Sequence, residues 1–234
     1  MKTIVKIAAA LLLNATLTFA AWNSHGQNLL VDPGFELQTP PAAGGWTTFS
    51  GFYSTDFAHS GNWSLYDEAF FSIPVTFQQF PAAPGSRWQM TGYGLTPSPL
   101  LGDPAFGLVQ VTFFDIFGNN LGTVETAGTG TPAKISNLVD GSTTPQQWIF
   151  LDTGIATAPA GTAYIQAFTL VVDFSGNVQR VYFDDLTLRV LVKNHGAYVS
   201  SIAKNAQALE QAGDITSAQA DAMVSAAAKS SGGK

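Results

Sequence analysis

The chain has 234 residues, 11% of them charged, and its 10 basic against 16 acidic side chains give a formal net charge of −6. An acidic surface repels phosphate backbones and anionic lipid, which argues against nucleic-acid binding and against attachment to an acidic membrane. There is no cysteine, which removes thiol nucleophiles, cysteine-ligated zinc and disulfide staples alike.

At the start of the chain, Lys2 and Lys6 precede an apolar run over residues 7–17, and Thr18-Phe19-Ala20 puts a small residue where a secretory signal is cut. The run is too short to span a bilayer, and no later segment reaches the roughly 18 apolar residues that a span needs. The sequence therefore predicts a signal peptide over residues 1–20, cleavage near Ala20, and a product without a membrane span that is secreted, periplasmic or at the cell surface. Without Lys2 and Lys6, 8 basic and 16 acidic residues remain, a formal charge of −8. Low charge with 17 Phe, 23 Gly and 12 Pro suits a β-rich exported protein with many turns.

Residues 28–36 read Asn-Leu-Leu-Val-Asp-Pro-Gly-Phe-Glu, a short apolar stretch ending in acids. Residues 75–80 alternate in part before Pro81, Pro84 and Gly85. Residues 87–95 alternate, with Trp88 and Met90 on one side and Gln89, Thr91 and Tyr93 on the other. Over 108–114, Val109, Val111 and Phe113 oppose Gln110, Thr112 and Phe114. Residues 115–120 read as a turn, and 123–147, rich in Gly, Thr and Pro, as a long surface excursion with room for a short strand at 133–138. Over 163–170, Ala163, Ile165 and Ala167 oppose Tyr164, Gln166 and Phe168. Period-two runs bounded by Gly, Pro and Asn predict half-buried strands. Residues 181–188, Val-Tyr-Phe-Asp-Asp-Leu-Thr-Leu, again set acids in a strand-like run.

The pattern changes after Lys193. Val199, Ile202, Ala206 and Leu209 fall at helical spacing over 198–212, and Gly213 is a natural stop. Thr216 and Gln219 form a capping box for a second helix over 217–228, and Ser230 to Gly233 read as a flexible tail. This Ala-rich hairpin, residues 194–234, is too small to fold alone and should dock on the body of the chain or on a partner.

The acidic segments at 28–36 and 181–188 leave two readings open. If both are terminal strands of one sandwich, a Glu and an Asp beside loop carbonyls form an oxygen-rich site for a hard cation such as Ca²⁺. Otherwise the carboxylates are simply solvated.

Four elements in order resemble carbohydrate-binding modules of families 4 and 9, galactose-binding-like jelly rolls. They are residues 28–36 with Gly45-Trp46; His59-Ser60-Gly61-Asn62-Trp63-Ser64-Leu65; Pro84-Gly85-Ser86-Arg87-Trp88; and residues 158–163 with 181–186. The resemblance covers about 28–190. It implies an all-β fold, a jelly-roll β-sandwich over 28–190, here followed by the C-terminal α-helical hairpin. It also implies a structural Ca²⁺ between the first strand, the His-Ser-Gly loop and the last strand. Glu36 and Asp184 would supply side chains, and Gly34 and the loop from Asp56 to Gly61 would supply carbonyls. Asp185 competes with Asp184, since adjacent strand residues face opposite ways.

In such jelly rolls an outer sheet face is often the glycan cleft. With Trp88, Val109, Val111, Ile165 and Ala167 inward, one face would collect Gln89, Thr91, Tyr93, Gln110, Thr112, Phe114, Tyr164, Gln166 and Phe168. Amides both donate to and accept from sugar hydroxyls, and rings cover the apolar side of a pyranose. The absence of charge fits a neutral polysaccharide or oligosaccharide. The same face could instead pack beneath the hairpin. Trp46, Trp63, Trp88 and Trp148 read as core or rim mass.

Catalysis is the weaker reading. His25, His59 and His195 are scattered, and no Gly-x-Ser-x-Gly elbow, phosphate loop or His-Glu-x-x-His helix occurs. Asp67-Glu68 and Asp184-Asp185 could be imagined as glycosidase pairs, but strand neighbours diverge and cannot flank one bond. The main alternative to a binding protein is an extracellular structural or adhesive protein that assembles through its hairpin, with itself or with a protein partner.

Overall fold

The period-two runs become strands because each can bury one face while pairing its backbone laterally. The computed structural model describes residues 28–37, 45–102, 104–122 and 134–232. The signal peptide at 1–20, Trp22, His25 and residues 123–133 of the excursion lie outside the described residues.

The fold is an all-β jelly-roll sandwich of two antiparallel sheets with two C-terminal helices. The first sheet runs β1 (Thr47–Phe49), β4 (Val75–Pro81), β11 (Tyr164–Asp173), β6 (Ala105–Phe114) and β7 (Lys134–Ile135), with β8 (Val139–Asp140) also on β6. The second runs β10 (Ala156–Thr157), β5 (Arg87–Leu95), β12 (Gln179–Val190), β3 (Ser64–Ala69) and β2 (Gly51–Ser54), with β9 (Ile149–Asp152) also on β5. Strand β5 matches the predicted 87–95 at both ends, whereas β6 begins three residues before its predicted start, β11 ends three residues beyond its predicted end, and β12 runs past both of its predicted ends.

Inward side chains from both sheets form the core: Val109, Val111, Phe113, Ile165 and Ala167 from one, Trp88, Met90, Val181, Phe183 and Leu188 from the other. Trp46 and Trp88 are core residues. Trp63 and Trp148 are half-buried.

Residues 28–36 do not form the expected opening strand. Leu29 N–H donates to Leu188 O at 2.9 Å, and the Asn28 side chain brackets Leu186 O and Leu188 N at 2.8 and 2.9 Å. Beyond Leu30 the chain turns, because Pro33 has no N–H to pair and Asp32 and Phe35 take φ of 48° and 59°. The Gln78 amide holds this turn in place, donating to Val31 O and accepting from Val31 N.

Helix α1 (His195–Ala212) is capped by Asn194 and stops at Gly213, whose φ is 79°. Helix α2 (Ser217–Lys229) has the predicted Thr216–Gln219 capping box. The pair docks on the end of its own sandwich. Tyr198 is fully buried edge-on to Trp88, with ring centroids 6.1 Å apart, and its hydroxyl donates to Pro81 O at 2.9 Å. Asn205 donates to Ala82 O and Thr162 O at 3.1 and 2.9 Å. Ser231 closes the tail by donating to Asn28 O. Among the described residues no helix is long and apolar enough to cross a membrane.

Candidate functional site

The candidate ligand residues divide between two opposite outer faces, which corrects the single face expected from alternation. Period two separates inward from outward but does not say which sheet a strand joins. Strand β6 pairs with β11, while β5 pairs with β12 in the other sheet.

Gln110, Phe114, Tyr164, Gln166 and Phe168 share the outer face of the first sheet. Register sets Tyr164 opposite Phe114, Gln166 between Gln79 and Thr112, and Phe168 between Phe77 and Gln110. The Phe114 and Tyr164 rings stack at 5.2 Å with 10° between planes. Gln166 donates to Gln79 Oε1 at 3.1 Å, and Gln110 to Thr112 Oγ1 at 2.6 Å. The outward positions of β4, β11 and β6 carry no charged residue. Burial, and then the nearby Asp115 carboxylate, push the Tyr164 phenol up to about 12, so it stays neutral and can donate. Phe77 and Gln79 belong to this face but were not picked out from the sequence, because the partial alternation of 75–80 gave no partner strand.

Gln89 and Tyr93 lie on the outer face of the second sheet, with Thr91 between them. Gln89 donates to Asp152 Oδ1 at 2.8 Å. Tyr93 is covered by His59, stacked at 3.6 Å and 15°, and meets the edge of Phe150 at 5.4 Å. Trp148 packs edge-on against His59 at 5.7 Å. Strand β12 contributes Asp185, Thr187 and Arg189, so this face is charged, unlike the first. Together these strands line a shallow depression of about 360 Å³.

Gly34, Glu36, Asp184 and Asp185 gather around the turn at residues 59–63. Glu36 Oε1 accepts from Asn62 N and Trp63 N at 2.8 and 2.9 Å. Asp184 Oδ2 accepts from His59 N and Ser60 N at 2.7 and 3.1 Å. Asp185 accepts from His59 Nδ1 and Ser60 Oγ, each at 2.7 Å. A methyl on Gly34 would stand 3.7 Å from an oxygen of each of Asp184 and Asp185.

The expected choice between Asp184 and Asp185 does not arise. The pairing with β5 shifts register between Asp184 and Thr187, and Asp185 has a φ of 47°. This bulge suspends alternation and aims both carboxylates at one turn. Asp56 does not join them through its side chain, which meets the Tyr182 hydroxyl at 3.4 Å.

Asp184 is fully buried, and burial raises its carboxyl to about 6 despite the amides of Ser60, Asp185 and His59. Among the described residues no group of three or more His, Asp and Glu is placed to hold a metal ion. A hard cation would therefore rest on the Glu36 and Asp184 carboxylates completed by carbonyls. That donor set is all oxygen and fits Ca²⁺ chemistry, although Glu36 Oε1 and both oxygens of Asp184 already accept from backbone N–H groups.

The His59, Ser60 and Asp185 cluster is not a nucleophile relay. The Ser60 hydroxyl donates to Asp185 and not to the imidazole, so the base does not activate it.

No family model matches the chain, and no curated protein matches it. Among solved structures it is similar to the CBM61 module TmCBM61, seen in complex with β-1,4-galactotriose, at 15% identity over 71% of this chain and 100% of that one, with a TM-score of 0.46. It is similar to the CBM22-1 xylan-binding domain of Paenibacillus barcinonensis Xyn10C at 15% identity, over 72% and 97% of the two chains, with a TM-score of 0.47. The enzymatically active domain of tailspike protein 4 of bacteriophage CBA120 is 13% identical over 70% of this chain, with a TM-score of 0.49, and this chain spans 21% of it. These modules are of families 61 and 22, not the families 4 and 9 that the sequence elements resemble.

Proposed function

We propose that this protein is an exported, non-catalytic carbohydrate-binding protein that holds a neutral glycan on the outer face of the first sheet. The observation that carries this reading is the stacked Phe114–Tyr164 pair beside the Gln166–Gln79 and Gln110–Thr112 amides on a strip without charge. A pyranose has an apolar face and a hydroxyl rim. Rings and amides side by side match both, and a charge-free strip incurs no desolvation of ions.

The test is affinity electrophoresis through gels containing neutral polysaccharides, with Phe114→Ala/Tyr164→Ala as the comparison. Wild type should be retarded by at least one polymer and the double variant should not. Free migration of wild type across a broad panel would refute glycan binding.

The same reading includes one structural Ca²⁺ at Glu36 and Asp184, tying residues 34–36, the 59–63 turn and β12. When bound, the ion would supply positive charge to the buried Asp184 carboxylate, whose hydrogen-bond partners are backbone N–H groups. Export would follow cleavage near Ala20.

A further inference from the structure

We propose that the depression on the outer face of the second sheet is a separate binding site for an acidic saccharide, with Arg189 anchoring a uronate carboxylate. The inference rests on the carbohydrate-binding reading only in expecting a saccharide. It concerns the opposite face and a different charge.

Asp185 accepts from His59 and Ser60 at 2.7 Å each. Asp152 accepts from Gln89 Nε2 and Gly154 N at 2.8 and 2.7 Å. Both anions are thus engaged by the protein's own donors. The guanidinium of Arg189, the third charged group lining the depression, makes no hydrogen bond or ion pair with any described residue. Arg189 is therefore the one charged side chain of the lining left without a protein partner, and its guanidinium is the group there that an anionic ligand would meet.

Geometry supplies the rest. Arg189 stands directly across from Gln89 in the β12–β5 register, and Thr187 across from Thr91. Gln89 is fixed by its bond to Asp152. A guanidinium fork matches a carboxylate in two parallel hydrogen bonds. The two threonine hydroxyls lie next along the strands, within reach of ring hydroxyls of the same sugar. At the far end Phe150, 51% exposed, offers an open ring for a second residue, whereas Tyr93 is already covered by His59. A volume of about 360 Å³ lies at the small end of ligand sites and suits one or two sugar units.

The test is titration calorimetry with digalacturonate and with its methyl ester, which keeps the skeleton and removes the charge. Diglucuronate and dimannuronate complete the panel. Wild type should bind at least one diuronate, more weakly as salt rises, and the methyl ester of digalacturonate at least about tenfold more weakly than the acid. Arg189→Gln should lose binding by a similar factor. Arg189→Lys, which keeps the charge without the fork, should recover part of it. Phe114→Ala/Tyr164→Ala should bind diuronates like wild type.

Equal affinity for acid and ester, or for wild type and Arg189→Gln, would overturn the proposal, as would absence of binding to all three diuronates. Neutral polysaccharides separate the two readings. Retardation abolished by Phe114→Ala/Tyr164→Ala without diuronate binding would sink this site alone. Diuronate binding abolished by Arg189→Gln without neutral retardation would sink the other face alone.

Discussion

Asp67 gives the sharpest test of the fold's energetics. It projects from β3 between the sheets, is fully buried, and accepts from Thr76 Oγ1 and Thr169 Oγ1 at 2.8 Å each. No basic group is among these partners. Burial lifts its carboxyl from the ordinary 3.8 to about 7, and the two threonines offset only part of that. Between those pH values the folded protein keeps a proton that the unfolded chain has released. Stability must therefore fall as pH rises through this window, fully present below 3.8 and lost by the time pH passes about 7. About three pH units at about 1.4 kcal/mol each amount to roughly 4 kcal/mol.

Asp67→Asn presents a permanently neutral amide. Its oxygen can accept from Thr76 and its NH₂ can donate to Thr169, whose hydroxyl then turns to Thr76 O, 3.4 Å away. The variant should unfold some 5–15 °C above wild type at pH 8, and within about 3 °C of it at pH 4, by thermal melts followed by circular dichroism. Subtracting the two profiles cancels every other titrating group. Parallel profiles for variant and wild type would refute the reasoning.

The other expectations concern the calcium site, the glycine in the acid-lined turn and the docked hairpin. Chelator should lower the wild-type melting midpoint by about 5–10 °C, with recovery on adding Ca²⁺, and Glu36→Gln should abolish the response; an unchanged midpoint in wild type would remove the ion from the account. Gly61→Ala should cost at least about 2 kcal/mol, because its φ is 65° and its methyl would stand 2.2 Å from Glu36 Oε1. Gly85→Ala, with φ of 77° and nothing within 4 Å, should cost only the backbone part, and equal losses in urea melts would contradict the clash. Tyr198→Ala should cost about 3–5 kcal/mol by emptying the space beside Trp88, whereas Tyr198→Phe should cost about 1–2 kcal/mol by leaving Pro81 O without its donor. Similar costs for the two would show that the ring does not pack as described.

Much of the architecture was legible because strands and helices announce themselves locally. The alternation of 87–95 gave β5 to the residue, and Thr216 with Gln219 gave the start of α2. What was not legible depended on pairing across long stretches of chain. Gln89 and Gln110 have the same outward sense in their own strands, yet sit on opposite surfaces because β5 joins β12 and β6 joins β11. Arg189 and Asp152 were not picked out, and His59 entered only as part of the 56–61 loop, for the same reason, as only tertiary pairing brings them beside Gln89 and Tyr93. The opening segment failed as a strand through Pro33 and two left-handed residues, a signal that was present in Asp-Pro-Gly and was outweighed by the apolar residues before it.

The absence of cysteine sharpens why so many side chains here bracket backbone. A chain without cysteine has no disulfides to restrain its loops. In this chain, buried or half-buried polar side chains tie segments distant in sequence. Asn28 clasps β12 at residues 186 and 188, and Gln78 clasps Val31. Gln179 clasps Leu101 N and O, and Asp173 holds Phe71 N while accepting from Ser175 N. The exposed Glu36 and the buried Asp184 divide one turn between them. Each such bond contributes only about 1 kcal/mol net, but leaving one of these buried groups unpaired would cost more than that. Specificity for one arrangement of loops therefore arises from the penalty on every alternative. The acidic segments at 28–36 and 181–188 belong to this set: Glu36 and Asp184 accept the N–H groups of a turn that otherwise has no strand to pair with.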